Sequence, residues 1–124
     1  MLKRGFKQLL AEANAQIKTV SVQDLEFVLD DDDTVLVDVR GAFERETEGL
    51  IPGSVHVPRG LLEFHADPES PTYNDALDPE IRLILYCGTG GRSALAARTL
   101  IEMGFSDVAS LAGGYAAWRL AQKA

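Results

Sequence analysis

Cys87 is the chain's one cysteine, and it opens the segment Cys87-Gly88-Thr89-Gly90-Gly91-Arg92-Ser93, where thiol, glycines, cation and hydroxyls crowd together. Gly88, Gly90 and Gly91 leave this loop almost without side chains, so its backbone N–H groups can converge on one point as a nest for an anion. Arg92 adds a full positive charge, and the helix-forming run Ala94 to Met103 adds the positive end of a helix dipole. Each of these favours thiolate over thiol, and the thiolate is the nucleophilic form. A single cysteine forms no internal disulfide, and with only His56 and His65 beside it no structural zinc site can be assembled. Cys87 is therefore a packed thiol, an intermolecular linker or a nucleophile. A nucleotide phosphate cradle is another use of such a loop. Against it, Gly-x-x-x-x-Gly-Lys-Ser/Thr is absent, the loop holds no Lys, and the Gly-x-Gly-x-x-Gly spacing is incomplete.

A strand before the loop and a helix after it are needed to hold it. Arg82-Leu-Ile-Leu-Tyr86 is a short apolar run that predicts a buried strand, and Ala94 to Met103 predicts a helix closed by Gly104. Thr34-Val-Leu-Val-Asp38-Val predicts a second buried strand with its acid at the carboxyl end. Further strands are expected at 17–20, 54–57 and 107–111. Helices are expected after Ser21-Val-Gln-Asp24, over 42–48 and after Gly113-Gly114. Strands alternating with helices predict an α/β fold, a parallel sheet with helices on both faces. In such sheets ligands collect where strands end and helices begin, which is where Cys87 lies. Leu2, Phe6, Leu9, Leu10 and Ala13 recur at helical spacing and predict an amphipathic helix over 2–14. Residues 1–124 are expected to form one domain, with 1–16 packed on it, and the proline-rich stretch 58–80 to be a surface excursion.

At 124 residues, 46% hydrophobic and 25% charged, the chain has ordinary globular composition. Its net charge of −7 argues against a nucleic-acid or anionic-membrane partner, either of which needs a basic face. The charge is unevenly spread: residues 1–80 carry a net of −10, and residues 81–124 a net of +3. An anionic substrate can thus be drawn to the basic third despite the total. The aspartates Asp30 to Asp33 read as a solvated loop. No apolar run approaches the ~20 residues of a bilayer span. The start is basic at Lys3, Arg4 and Lys7 but lacks the apolar stretch of a signal peptide, so a reducing, cytoplasmic setting is expected.

Three segments in order resemble the rhodanese-like domain family of sulfurtransferases. Asp38-Val39-Arg40 followed by Glu44, then Ile51-Pro52-Gly53-Ser54, resembles its first signature; Cys87 through Ser93 resembles its active-site loop; Leu111-Ala-Gly-Gly114-Tyr-Ala-Ala-Trp118 resembles its C-terminal signature. The resemblance implies about five parallel strands sandwiched by helices. It implies that Cys87 carries sulfur, that Gly88, Thr89, Gly90, Gly91, Arg92 and Ser93 bind the donor, and that Asp38 and Arg40 act structurally near the site. The expected reaction takes sulfur from a small anionic donor such as thiosulfate to an external thiol or cyanide, with no cofactor and no metal. Arg59 is a candidate second cation at the rim. Leu50 stands where family members usually carry a histidine. The competing readings are a persulfide carrier or redox-sensing module without turnover, a cysteine phosphatase or arsenate reductase, and a hydrolase pairing Cys87 with His56 or His65. Phosphatase loops place five residues between Cys and Arg, whereas only Gly88 to Gly91 intervene here.

Overall fold

The computed structural model describes residues 1–123. Its elements run in chain order as α1 (Phe6–Gln16), β1 (Lys18–Val20), α2 (Val22–Leu29), β2 (Thr34–Asp38), α3 (Ala42–Glu48), β3 (Val55–His56), a 3-10 turn (Arg59–Leu61) leading into α4 (Leu62–Ala66), β4 (Arg82–Tyr86), α5 (Gly91–Met103), β5 (Val108–Leu111) and α6 (Gly114–Gln122). The strands form one sheet in the order β1-β5-β4-β2-β3, every neighbouring pair parallel. The fold class is thus the α/β sheet sandwiched by helices that the alternation of elements predicts.

Alternation along β4 shows how the sheet divides its surroundings. Leu83, Leu85 and Cys87 face a core shared with Ala96, Ala97 and Leu100 of α5 and Leu62 of α4. Ile84 and Tyr86 face a second core with Leu25 of α2 and Tyr115 of α6. Burial on both faces is what its unbroken apolar run requires. β4 is also the middle strand of five, so the cysteine at its carboxyl end rises from the best-supported part of the sheet.

Ser21 caps α2 by accepting the Asp24 N–H at 3.2 Å, the role its spacing predicts. The first helix is shorter than its periodicity suggests: it starts at Phe6, and Leu2 and Phe6 are exposed. Ala13 is its buried residue, and the helix lies against α5, with Leu10 reaching Gly91. Residues 67–81 wander over the surface between α4 and β4, pinned by the fully buried Leu77. No helix among the described residues is long and apolar enough to cross a membrane.

Candidate functional site

The loop after β4 bends around its own sulfur. The Gly90 N–H points at Cys87 Sγ over 3.1 Å, and the Ser93 hydroxyl lies 3.5 Å away. Gly90 takes a positive φ of 116° to start α5, a conformation only glycine adopts at no cost. Burial pushes the Cys87 thiol up. The Ser93 hydroxyl and the N–H groups of Ser93, Gly90 and Thr89 outweigh that and hold it below its ordinary value. Cys87 as a residue is nonetheless only 1% exposed. From the other side α6 clamps the loop, with Tyr115 N–H donating to the Cys87 carbonyl at 2.8 Å and Ala116 N–H to the Gly88 carbonyl at 3.0 Å.

Arg92 behaves differently from the free cation expected at this loop. Its guanidinium makes a two-pronged pair with Glu44 of α3, at 2.6 and 2.8 Å. Glu44 also accepts the Gly41 N–H at the start of α3, and the Arg92 partnership holds its carboxyl down from 4.5 to about 2. The same pair raises Arg92 above its ordinary value. The guanidinium still lies across the loop, 3.2 Å from where a Cβ on Gly88 would sit. The loop amides and Ser93 are therefore the main hydrogen-bonding support of the thiolate, and the mouth carries an ion pair instead of a lone positive charge.

Beneath the loop sits the buried pair Asp38–Arg40. Asp38 Oδ1 accepts from Arg40 N and Nε, each at 3.0 Å, and Oδ2 accepts from Arg40 Nη2 at 2.8 Å, Arg45 Nη1 at 2.9 Å and the Tyr86 hydroxyl at 3.1 Å. Burial pushes the Asp38 carboxyl up, but these donors more than compensate and leave it lowered. Arg40 also donates to the Gly49 carbonyl at 2.7 Å, and its guanidinium carbon stacks 4.3 Å from the Tyr115 ring centre and 5.3 Å from that of Tyr86. Arg40 Nη1 is left without a hydrogen-bond partner in this stack. The pair thus ties the carboxyl ends of β2 and β4 to the first turn of α6, which in turn grips the Cys87 carbonyl.

Other candidates lie elsewhere. Arg59 sends its guanidinium to Glu63, one helical turn on, at 3.0 Å and to Thr99 of α5 at 3.2 Å. His56 Nε2 bonds the Arg40 carbonyl at 2.8 Å, and His65 Nδ1 the Thr72 carbonyl at 2.6 Å; neither is bonded to Cys87. Leu50 is exposed on the turn before Ile51. Two clefts flank the loop: one of about 390 Å³ beside Gly88 and Thr89, walled by Tyr115, Arg119 and Lys123, and one of about 300 Å³ beside Thr89 to Gly91, walled by Leu10 and Ser110. Residue types and spacing gave no signal for Ser110, Arg45 and Tyr86 as parts of the site, because their importance comes only from strands and helices meeting in space.

A thiol cradled by amides stands at the end of a central parallel strand, braced by an acid–arginine pair and an α6 clamp. The chain belongs to the rhodanese-like domain family, whose pattern matches residues 21–121. It is 31% identical over 82% of its length to thiosulfate sulfurtransferase/rhodanese-like domain-containing protein 3 of Mus musculus, covering 68% of that protein. It is 33% identical over 72% of its length to a sulfurtransferase of Allochromatium vinosum, covering 75% of it. Other curated relatives are longer, and the chain spans 58% of one and 27% of another. Among solved structures it is similar to RPA3614 of Rhodopseudomonas palustris, described as of unknown function and a possible tyrosine phosphatase. That likeness has a TM-score of 0.92 and 41% identity, over 98% of this chain and 94% of that one.

Proposed function

We propose that the protein is a sulfurtransferase that moves a sulfane sulfur from a small anionic donor of the thiosulfate type to an external thiol or cyanide, by way of a Cys87 persulfide. In the first step the Cys87 thiolate attacks the donor's outer sulfur. A new S–S bond forms to Sγ, and the bond to the sulfonate sulfur breaks with its electron pair leaving as sulfite. In the second step an acceptor thiolate or cyanide attacks the outer sulfur of the persulfide, and the electron pair of the broken S–S bond returns to Cys87 as thiolate. Electrons balance without an added oxidant or reductant.

The observation that carries this reading is the Gly90 N–H at 3.1 Å from Sγ, together with the Thr89 and Ser93 amides that lower the thiol. These donors hold negative charge at one place in both the thiolate and the returning leaving group, as an oxyanion hole does for an alkoxide. Cys87 is the chain's one cysteine, so no thiol of the chain itself resolves the persulfide and the acceptor comes from outside. Arg119 and Lys123 outnumber the single acid Glu48 in the cleft beside Gly88 and so favour the approach of an anionic donor.

The test is intact mass of the protein before and after thiosulfate, followed by thiocyanate formation once cyanide is added. The expected result is one added sulfur that cyanide removes, and loss of both signals in a folded Cys87→Ala variant. Thiocyanate turnover by that variant would exclude Cys87 as carrier. An added sulfur that neither cyanide nor small thiols take off would mark a carrier without turnover of its own.

A further inference from the structure

Behind the sulfur lies a second hydroxyl that the mechanism above does not use. Ser110, on β5, is only 4% exposed, and its Oγ lies 2.7 Å from Ser93 Oγ. Ser93 is fully buried and sits between Cys87 Sγ at 3.5 Å, the Gly90 carbonyl at 3.2 Å and Ser110. We propose that Ser110 is a positioning residue for the reaction: it donates to Ser93 Oγ and so holds the Ser93 hydroxyl turned toward the Cys87 sulfur. This rests on Cys87 working as a thiolate.

Hydrogen counting leads to it. A serine hydroxyl has one hydrogen and two lone pairs. With Cys87 as a thiol, the S–H donates to Ser93, and Ser93 places its hydrogen on the Gly90 carbonyl or on Ser110. Once Cys87 ionises it can only accept, and the Gly90 carbonyl already accepts the Ala94 N–H, so the single Ser93 hydrogen is free to turn from that carbonyl to the sulfur. Ser93 then has lone pairs free, and the one hydroxyl bonded to it is that of Ser110. A donor at 2.7 Å polarises the Ser93 O–H and strengthens its bond to the anion. Ser110 also lines the cleft beside Thr89 to Gly91, so it meets the solvent side while Ser93 stays sealed.

The charged groups around the pair do not substitute for it. From α5 comes Arg92, paired with Glu44 of α3 and also interacting with Cys87 itself, so it acts on the sulfur directly and not through Ser93. From β2 comes Arg40, paired with Asp38, and from α6 comes Arg119, bonded to the Glu48 carbonyl. The next titratable group on β4 is Tyr86, whose hydroxyl bonds Asp38. Lys18 of β1 pairs with Asp107 ahead of β5, and α1 presents the uncharged Leu10 and Asn14 to the cleft. Among the described residues none of these is hydrogen-bonded to Ser93 or Ser110.

The experiment is the pH profile of Cys87 alkylation by iodoacetamide in the parent, Ser93→Ala, Ser110→Ala, the double variant and Ser110→Thr, each checked for an intact urea transition. Ser93→Ala should raise the midpoint by about one on the pH scale, a tenfold loss of thiolate below it. Ser110→Ala should raise it by about 0.3 to 0.7, a two- to fivefold loss. The double variant should match Ser93→Ala, because Ser110 acts only through Ser93, and Ser110→Thr should restore the parent profile. A Ser110→Ala midpoint equal to the parent's, or a double variant shifted by the sum of the two singles, overturns the proposal. A parent midpoint already at that of a free thiol would sink the activated-thiolate reading itself, and this inference with it; a depressed parent midpoint that ignores Ser110 would sink this inference alone.

Discussion

Gly114 is the position where one added methyl group should do the most damage to the site. Its φ is +59°, in the left-handed region, and a Cβ placed there would lie 2.6 Å from the Cys87 carbonyl oxygen, 2.8 Å from that of Gly88 and 2.9 Å from the Gly88 carbonyl carbon. All three neighbours are backbone of the reactive loop, so no flexible side chain can step aside. Gly114→Ala therefore carries about 1–2 kcal/mol for the left-handed conformation and about 1–3 kcal/mol for crowding. If the loop retreats instead, the Tyr115 and Ala116 N–H bonds to it stretch, at about 1 kcal/mol each. The expected loss is about 2–5 kcal/mol in urea unfolding, a large share of a domain's ~5–15 kcal/mol. Because the yielding atoms belong to the nest, the alkylation midpoint of Cys87 should rise and sulfur transfer per folded molecule should fall at least about tenfold. Gly53→Ala is the control: φ there is +84°, but nothing lies within 4 Å of the added Cβ. It should lose only the conformational part and keep full activity. A Gly114→Ala protein within about 1 kcal/mol of the parent, with unchanged alkylation, would refute the view that α6 fixes the loop.

Asp38→Asn leaves Arg40 buried without its counter-charge and should cost about 3–5 kcal/mol in urea unfolding, whereas a loss below about 1 kcal/mol would show the pair to be dispensable. Since the folded-state values of Asp38 and Glu44 are lowered, their stabilisation is complete above the unfolded values and is lost as pH falls through the folded ones. For Glu44 that window runs from 4.5 down to about 2. Partial solvent exposure keeps its share to about 1 kcal/mol, read as the difference in acid unfolding between parent and Glu44→Gln. Glu44→Gln should also release the Arg92 charge toward the loop and lower KM for an anionic donor about two- to tenfold at low salt, while Arg92→Ala raises it; equal KM values in all three would remove this ion pair from donor binding. Aryl phosphates should turn over negligibly, since the Cys-to-Arg loop is one residue shorter than a phosphatase loop; Cys87-dependent hydrolysis near one per second, on the order of ordinary enzyme rates, would contradict that steric reasoning.

Local patterns made much of this molecule legible. The unbroken apolar runs at 34–38 and 82–86 became β2 and β4, and the glycine loop lies between β4 and α5 as expected. Edges were harder. β3 is reduced to Val55–His56, and α1 lacks the first turn that Leu2 suggests, since Leu2 finds nothing to pack against. What a linear reading could not supply was pairing across the chain. Glu44 and Arg92 are 48 residues apart, and Arg59 has Glu63 one turn away to satisfy it. Ser110 lies in the short strand Val108–Leu111, where a serine is an unremarkable inward residue until β5 is laid beside the loop.

Burial of the sulfur also has a consequence for what the protein can be trapped as. A disulfide joins two sulfurs about 2.05 Å apart, and a side chain that is 1% exposed cannot approach a copy of itself that closely unless the loop opens. The folded protein should therefore resist oxidative dimerisation even though its thiol is easily ionised. In the proposed transfer, loading with sulfur would change the reach of the side chain: a persulfide would extend it by about one S–S bond, ~2 Å. The atom offered to a partner would then be the transferable one, while the cysteine's own sulfur stayed in its cradle. Chemical state would become protrusion, and an acceptor too bulky to touch the empty site could still collect from the loaded one.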